Sequence, residues 1–414
     1  MQFYELKILF LLRKLLSLPQ ILANSMSKTI VNIITEDNPI PAYLFIKEKY
    51  EDGDNLMYIS AKDTEDDLDA LSELFNVPAT HIEEIVLKND MDEFTYEKIC
   101  RTVLGRLKQG INYCVNLAGG TRYMALAIQQ VFEQFKAEFF YVQVEENLLV
   151  KSLFDDSIFN NDDYFYPIRH RMTIAEYLRI HEIQHDLDQF EHIPIRSQEE
   201  SEYIYKLYIN DKLKGKHGDT MELLRIYYRN RKSVLIKTLE TSNTKQDPAV
   251  PGLSSFLNRI EFVPETKGVL TRAELEYLTG GWFEEYVYYL VKEYIKPQDI
   301  AIGVTISRSG VKHNNELDVV FTKGNKLFVI ECKTGVQTER LFNEIVYKVC
   351  AIREALLGVS SYSYIFSLKK DYTDVLKRIA QNMDITFVDR NILTVPRNFH
   401  LAMAQIDIQS KDVM

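Results

Sequence analysis

From residue 29 onward, short runs of β-branched residues alternate with stretches whose apolar positions recur every three to four residues. The run TIVNIIT at 29–35 predicts a buried strand, and Pro39–Tyr50 a helix. Asn55–Ser60 is strand-like, Glu65–Asn76 helical and Ile82–Leu87 a strand. Phe94–Lys108 has helical spacing, and Asn112–Leu117 is a further strand. A helix is predicted from Thr121, with Met124, Ile128, Val131, Phe132 and Phe135 on one face, and Glu138–Val144 closes the series. Strands and helices alternating in this way predict an α/β fold with a mainly parallel sheet covered on both faces.

The pattern then changes. The polar stretch DDSIFNNDD at 155–163 reads as part of a linker, residues 172–240 are mostly helical, and Gln246–Gly252 is turn-rich. A last lobe begins near Leu253 and mixes helices with a strong hairpin at 316–333. The expected organisation is an N-terminal extension (1–26), an α/β domain (27–150), a linker (151–171), a helical, partly basic segment (172–252) and a second α/β domain (253–414). A chain of 414 residues suits two domains of about 150–200 residues each.

Phe3–Leu22 is apolar but interrupted by Lys7, Arg13 and Lys14, which fits neither a signal peptide nor a membrane span. The working protein is therefore expected to begin at Met26. Cys100, Cys114, Cys332 and Cys350 show no Cys-x-x-Cys spacing, as expected of reduced thiols in a cytoplasmic protein with no membrane partner.

A net charge of −11 argues against a nucleic-acid partner if it is taken as uniform. It is not uniform. Residues 1–150 hold 14 Lys and Arg against 23 Asp and Glu, leaving 35 against 37 for the rest. Tyr203–Lys237 carries nine basic residues, at 206, 212, 214, 216, 225, 229, 231, 232 and 237, against acids at 211, 219 and 222. Tyr203, Tyr205, Tyr208, Tyr227 and Tyr228 are interleaved with them. Basic side chains track phosphates and aromatic faces stack on unpaired bases, so the stretch suits a single strand. It equally suits two helices with buried tyrosines and a solvated basic face.

Residues 316–333 read ELDVVFTKGNKLFVIECK. Gly324-Asn325 is a favoured two-residue turn, and with it at the tip opposed residues have numbers summing to 649. Asp318 then faces Glu331 and Glu316 faces Lys333, while period-two alternation puts Asp318, Glu331 and Lys333 on one face. Opposed carboxylates are destabilising unless a cation lies between them. A hard divalent ion, Mg²⁺ or Mn²⁺, suits these oxygens and activates bound water, and Lys333 is placed to orient that water. A lone Glu-x-Lys is common on solvated strands; the upstream Asp in register and the apolar neighbours favour a metal site.

These residues resemble the PD-(D/E)XK, or restriction-endonuclease-like, nucleases, with Leu317-Asp318 standing where that family usually has Pro-Asp. The resemblance implies that Asp318 and Glu331 hold the metal, with the backbone carbonyl of Cys332 as a third ligand, and that Lys333 assists the attacking water. It also implies a Glu on a preceding helix. Gly280-Gly281-Trp282-Phe283-Glu284-Glu285-Tyr286 fits, with Glu284 favoured over Glu285.

Asn116-Leu117-Ala118-Gly119-Gly120-Thr121-Arg122 joins a predicted strand to a predicted helix. Two glycines let backbone approach a ligand, a helix start suits phosphate, Thr121 can cap the helix and Arg122 can add a charge-assisted bond. The loop is neither a Walker loop nor a Gly-x-Gly-x-x-Gly turn; a tight strand-to-helix turn is the plain alternative. It resembles the signature of CARF domains, the Rossmann-like sensors of CRISPR-associated proteins, whose ligand pocket has a second wall matched by Thr35, Glu36 and Asn38. The resemblance implies that Asn116, Ala118, Gly119, Gly120, Thr121 and Arg122 contact the ligand.

Together the two motifs resemble type III CRISPR ancillary nucleases. The implied protein is a Rossmann-like CARF domain followed by a helical segment and a restriction-endonuclease-like α/β domain. It would be a homodimer, activated by cyclic oligoadenylate, usually cyclic tetra-adenylate, and would cut DNA and/or RNA, with single strands favoured. A competing class is a cyclic-nucleotide-sensing regulator that binds nucleic acid without cutting it. A third is a zinc protease, because His181-Glu182-Ile183-Gln184-His185 matches His-Glu-x-x-His, which on a helix puts both histidines on one face.

Overall fold

A computed structural model describes residues 27–34, 38–60, 71, 74–87, 95–151, 164–210, 218–230, 233–242, 248–308, 314–334, 339–352, 361–368 and 374–409. The N-terminal extension, Thr35, Glu36, the polar stretch 155–163 and most of the helix expected at 65–76 lie outside them. The chain divides into two compact units, one ending at His170 and the other beginning at Arg171.

The first unit is built on a seven-stranded sheet: β1 (Lys28–Ile34), β2 (Asn55–Ser60), β3 (Ile82–Val86), β4 (Asn112–Asn116), β5 (Glu138–Gln143), β6 (Leu148–Lys151) and β7 (Phe165–Pro167), in the order β3-β2-β1-β4-β5-β6-β7. The first five strands are parallel. Helices α1 (Ile40–Lys49), α2 (Tyr96–Leu104) and α3 (Arg122–Glu133) follow β1, β3 and β4. Helix α1 is buried from Ile40 through Ile46, whereas α2 and α3 each bury one stripe. Met124, Ala127, Ile128, Val131 and Phe132 of α3 pack with Val31, Ile33 and Val115 of the sheet.

The series does not close at β5 as expected. Strands β6 and β7 add an antiparallel edge, so the region expected as a linker at 151–171 contains a strand. The Phe165–Pro167 run is too short and too exposed to show the alternation by which a strand is recognised.

In the second unit a six-stranded sheet runs β15-β14-β13-β12-β11-β8. Its strands are β8 (Ile183–His185), β11 (Asp299–Arg308), β12 (Asn315–Lys323), β13 (Lys326–Lys333), β14 (Ser361–Ser367) and β15 (Ile385–Val388). A separate two-stranded ribbon pairs β9 (Ser233–Leu235) with β10 (Val269–Thr271). Strands β8, β11, β12 and β13 are antiparallel, while β13, β14 and β15 are parallel. Its helices include α4 (Ile174–Ile180), α5 (Gln198–Ile209), α6 (Gly218–Asn230), α7 (Trp282–Tyr294) and α8 (Glu339–Ile352), and one π turn (Tyr277–Gly281) leads into α7. A single core joins the helical segment to the sheet, since Tyr205, Leu224 and Tyr227 pack in one cluster with Trp282, Val319, Phe328 and Phe366.

The β12–β13 hairpin turns at Gly324-Asn325, both with positive φ. Its ladder runs Val319↔Ile330 through Lys323↔Lys326, the predicted register. Phe321 and Phe328, opposed in it, stack at 4.7 Å.

Candidate active site and sensor loop

At the open end of the hairpin the carboxylates of Asp318 and Glu331 are 8% and 4% exposed. The ladder stops one pair short of them, and Asp318 Oδ2 instead accepts from the Cys332 N–H at 2.6 Å. Lys333 Nζ lies 2.7 Å from Glu331 Oε1 and 3.4 Å from Asp318 Oδ2, so the three predicted side chains meet on one face. The thiol of Cys332, on the alternate face, is buried in the core.

The charges do not share this site evenly. Burial and the Glu331 carboxylate push Asp318 up to about 6, from an ordinary 3.8. Glu331 is held below its usual range by the ammonium groups of Lys333 and Lys348, which outweigh its burial. Those two carboxylates in turn raise Lys333 above its ordinary value, so it stays cationic. Burial drives Glu284 well above the usual carboxylate range, with Asp318 adding to the rise and Lys333 opposing it.

The pair Glu284-Glu285 divides between two jobs. Glu284 feels Asp318, Lys333 and Glu331 across the cluster. Glu285, 3% exposed, accepts from the backbone N–H groups of Ile195 (2.7 Å) and Arg196 (3.4 Å) and from the Ser201 hydroxyl. It fastens a loop rather than facing the cluster. Sequence reading missed Lys348 of α8, whose Nζ sits 3.3 Å from Glu331 Oε1. The signal available was a lysine set among the apolar positions Val346, Val349 and Cys350 of a helical run.

Among the described residues no group of three His, Cys, Asp or Glu side chains is gathered as a ready-made metal cage. The donors here are two buried carboxylates, so any third ligand must come from elsewhere, such as backbone. Asp318 ionises reluctantly because it is buried and Glu331 stands beside it, and a divalent ion would relieve that repulsion. The residues therefore fit a hard cation.

One other sequence expectation is corrected, and a second is decided between its two alternatives. His181 and His185 do not share a helix face: α4 ends at Ile180, Glu182 has φ +56, and His185 lies on β8. The His181 ring stacks on Tyr177 and its Nδ1 pairs with the Tyr177 carbonyl, so no zinc protease motif is formed. The tyrosines at 203–228 follow the core alternative: Tyr205 and Tyr227 are buried in it, and Tyr203, Tyr208 and Tyr228 pack against it. Tyr203, Tyr205, Tyr208, Tyr227 and Tyr228 donate their hydroxyls to Arg259, Leu393, Thr334, Pro248 and Glu276 respectively. Lys206 pairs with Glu202. Lys212, Lys214, Lys216, Arg231 and Lys232 lie outside the described residues.

In the first unit the loop 116–122 crosses the ends of β1 and β4. Asn116, 1% exposed, donates from Nδ2 to Asn32 Oδ1 (3.1 Å) and the Pro41 carbonyl (3.2 Å), and accepts from the Ala118 N–H (3.0 Å). Both its donors are thus committed to shaping the loop. Asn32, buried beside it on β1, keeps an Nδ2 without a partner among the described residues. A Cβ at Gly119 would stand 1.8 Å from the Ile33 carbonyl oxygen, and Gly120 has φ +70, so this close turn needs both glycines. Thr121 caps α3 by accepting from the Met124 N–H at 3.2 Å, and Arg122 is exposed at the first turn. Asn38 Oδ1 accepts from the Ile40 N–H at the start of α1. The loop thereby offers backbone N–H groups, a helix start and a guanidinium, an arrangement that attracts anions.

Comparison with known proteins matches two domain models along the chain. The family model for the Card1 CARF domain matches residues 29–177, and that for the Card1-like endonuclease domain matches 271–398. Among solved structures, protein VC1899 from Vibrio cholerae is 19% identical with a TM-score of 0.70, over 94% of this chain and 100% of that one. Can2 from Sulfobacillus thermosulfidooxidans, solved in complex with cyclic tetra-adenylate, is 21% identical with a TM-score of 0.67, over 92% of this chain and 99% of that one. At these identities the likeness is one of fold. No curated protein matches the sequence.

Proposed function

This chain belongs to the Card1-like nucleases, a CARF sensor joined to an endonuclease domain, and we propose that it cuts DNA and/or RNA only when cyclic oligoadenylate occupies the sensor. The setting is type III CRISPR antiviral defence in the cytoplasm, and the activator is cyclic tetra-adenylate, as bound by Can2. Among the described residues no helix is long and apolar enough to cross a membrane. The regulator that binds without cutting is set aside, because the second unit carries an endonuclease domain.

The observation that carries the reading is the buried meeting of Asp318, Glu331 and Lys333 at the end of one hairpin, within that domain. Asp318, Glu331 and the Cys332 carbonyl would hold Mg²⁺ or Mn²⁺, which when bound supplies a low-pKa water and neutralises phosphoryl charge. Lys333, kept cationic by its carboxylate neighbours, orients the attacking water and faces the charge that builds on phosphate. Glu284, whose carboxyl is raised above its usual range by burial, stands beside the cluster and can take part in proton transfer at the leaving or attacking oxygen. In the sensor, the Ala118–Arg122 loop faces the activator's phosphates, and Thr35, Glu36 and Asn38 are the further ligand contacts that the CARF resemblance implies. The homodimer that the CARF resemblance implies would place two copies of the sensor about a two-fold axis, which suits a cyclic ligand of repeated units.

The test is incubation of labelled single- and double-stranded DNA and RNA with Mn²⁺, with and without cyclic tetra-adenylate. Cleavage that requires the activator and vanishes in Glu331→Ala is expected. No cleavage of any substrate, or equal cleavage by Glu331→Ala, would refute the reading.

A further inference from the structure

Thr334 directly follows Lys333 at the end of β13, and Thr279 lies in the π turn five residues before Glu284. The Thr334 hydroxyl donates to the Thr279 carbonyl at 2.9 Å. Arg225, on α6, closes this pair: its Nη2 donates to Thr334 Oγ1 at 2.5 Å and to the Thr279 carbonyl at 3.1 Å. Tyr208, on α5, donates to the Thr334 carbonyl at 3.1 Å while its ring leans on Trp282, the first residue of α7.

We infer that Arg225 is a positioning residue for the cleavage reaction, clamping the strand end that presents Lys333 to the helix that presents Glu284. The inference rests on the nuclease reading of that cluster. Arg225 is half-buried, and its Nη2 is spent on two acceptors inside the protein. Each acceptor belongs to a different segment of the site: Thr334 is one residue from Lys333, and Thr279 is one turn from Glu284. A π turn departs from the regular helical ladder and often marks a functional site. Here it presents the Thr279 carbonyl to two side-chain donors. Misplacement of reacting groups by about 1 Å can cost about a hundredfold in rate, so a clamp between the two segments has leverage. A lysine in place of Arg225 keeps the charge, but its ammonium is a point donor on a flexible stem rather than a nitrogen held in a rigid planar group.

The experiment compares full-length wild type with Arg225→Gln, Arg225→Lys, Thr334→Val, the Arg225→Gln/Thr334→Val pair and Glu331→Ala, under Mn²⁺ and cyclic tetra-adenylate. Melting temperature and activator binding are measured on the same preparations. The expected result is a fall in kcat of about 10- to 100-fold in each single variant of Arg225 and Thr334, with KM unchanged. The pair should be no worse than its worse member, because the two groups act as one unit. A raised KM with kcat retained would overturn the inference and make Arg225 a phosphate contact. So would wild-type kcat in folded Arg225→Gln, or losses that multiply in the pair. If Arg225→Gln does not fold, Thr334→Ser against Thr334→Val decides: serine keeps the hydroxyl and must keep kcat, valine must lose it. A wild type that cuts nothing removes the nuclease reading itself. A cutting wild type, a dead Glu331→Ala and an unimpaired Arg225→Gln remove only the clamp.

Discussion

The loop at 116–122 offers an anion its backbone N–H groups and one exposed guanidinium, whereas the cluster at the end of the β12–β13 hairpin packs two carboxylates and an ammonium away from water. The loop is made by leaving side chains out: Gly119 passes so close to β1 that even a methyl group would collide with the Ile33 carbonyl. The cluster includes a side chain whose own charge works against folding, since Asp318 is raised by burial and by its neighbour Glu331. A change in the loop should therefore be felt first as lost shape. A change in the cluster should be felt as lost chemistry, with little or no cost to the fold.

Asp318→Asn is the sharpest test of that contrast. Cleavage should fall about a thousandfold, a barrier change of about 4 kcal/mol. The amide oxygen can still accept from the Cys332 N–H, so the melting temperature without metal should not drop. Initial rates and melting curves on the same protein check both halves, and a large drop in melting temperature would break the contrast.

Gly119→Ala should do the opposite. Overpacking against the Ile33 carbonyl is expected to destabilise the sensor by about 3 kcal/mol and to abolish activator binding. Calorimetric titration with cyclic tetra-adenylate and thermal melting measure it; unchanged melting would mean that the loop can open without cost.

Next comes pH. Asp318 in the folded chain titrates near 6 rather than 3.8, so it favours the fold when protonated. Its contribution is complete below pH 3.8 and lost as pH rises through about 6. Glu284, also raised, has the same sign, whereas Glu331, lowered from 4.5, has the opposite sign and acts below that value. Metal-free protein should lose about 2 kcal/mol from the Asp318 contribution between pH 4 and 7. Asp318→Asn should flatten that slope, and Mn²⁺ should stabilise the wild type more at pH 7 than at pH 5. The smallest effect belongs to Thr121→Ala, which removes a helix cap worth about 1 kcal/mol and should lower the melting temperature slightly.

The hairpin was legible because both its signals are local: a Gly-Asn turn and strict alternation on either side fix the register without outside help. The parallel sheet was legible for the same reason, from β-branched runs separated by helical periods. What could not be read depended on partners distant in sequence. Glu284 and Glu285 are neighbours on one helix, and only the loop at Ile195–Arg196 settles which of them fastens backbone. The tyrosines at 203–228 looked available for stacking because their acceptors, at residues 248–393, carry no mark in the sequence. The His-Glu-x-x-His pattern failed because the helix ends at Ile180, before both histidines, and the left-handed Glu182 turns the chain into β8.

Cys332 stands between the two residues that define the cutting end of β13, yet its sulfur is buried in the core and its thiol is pushed well above its ordinary pKa by burial. In that state it is neither accessible nor ionised, so alkylating reagents have nothing to attack. It becomes reactive only when the core packed over this end of the sheet opens. The rate at which iodoacetamide labels Cys332 in otherwise native protein is thus a built-in clock for how often the active centre breathes open. Activator and metal can each be asked, without any substrate present, whether they slow it.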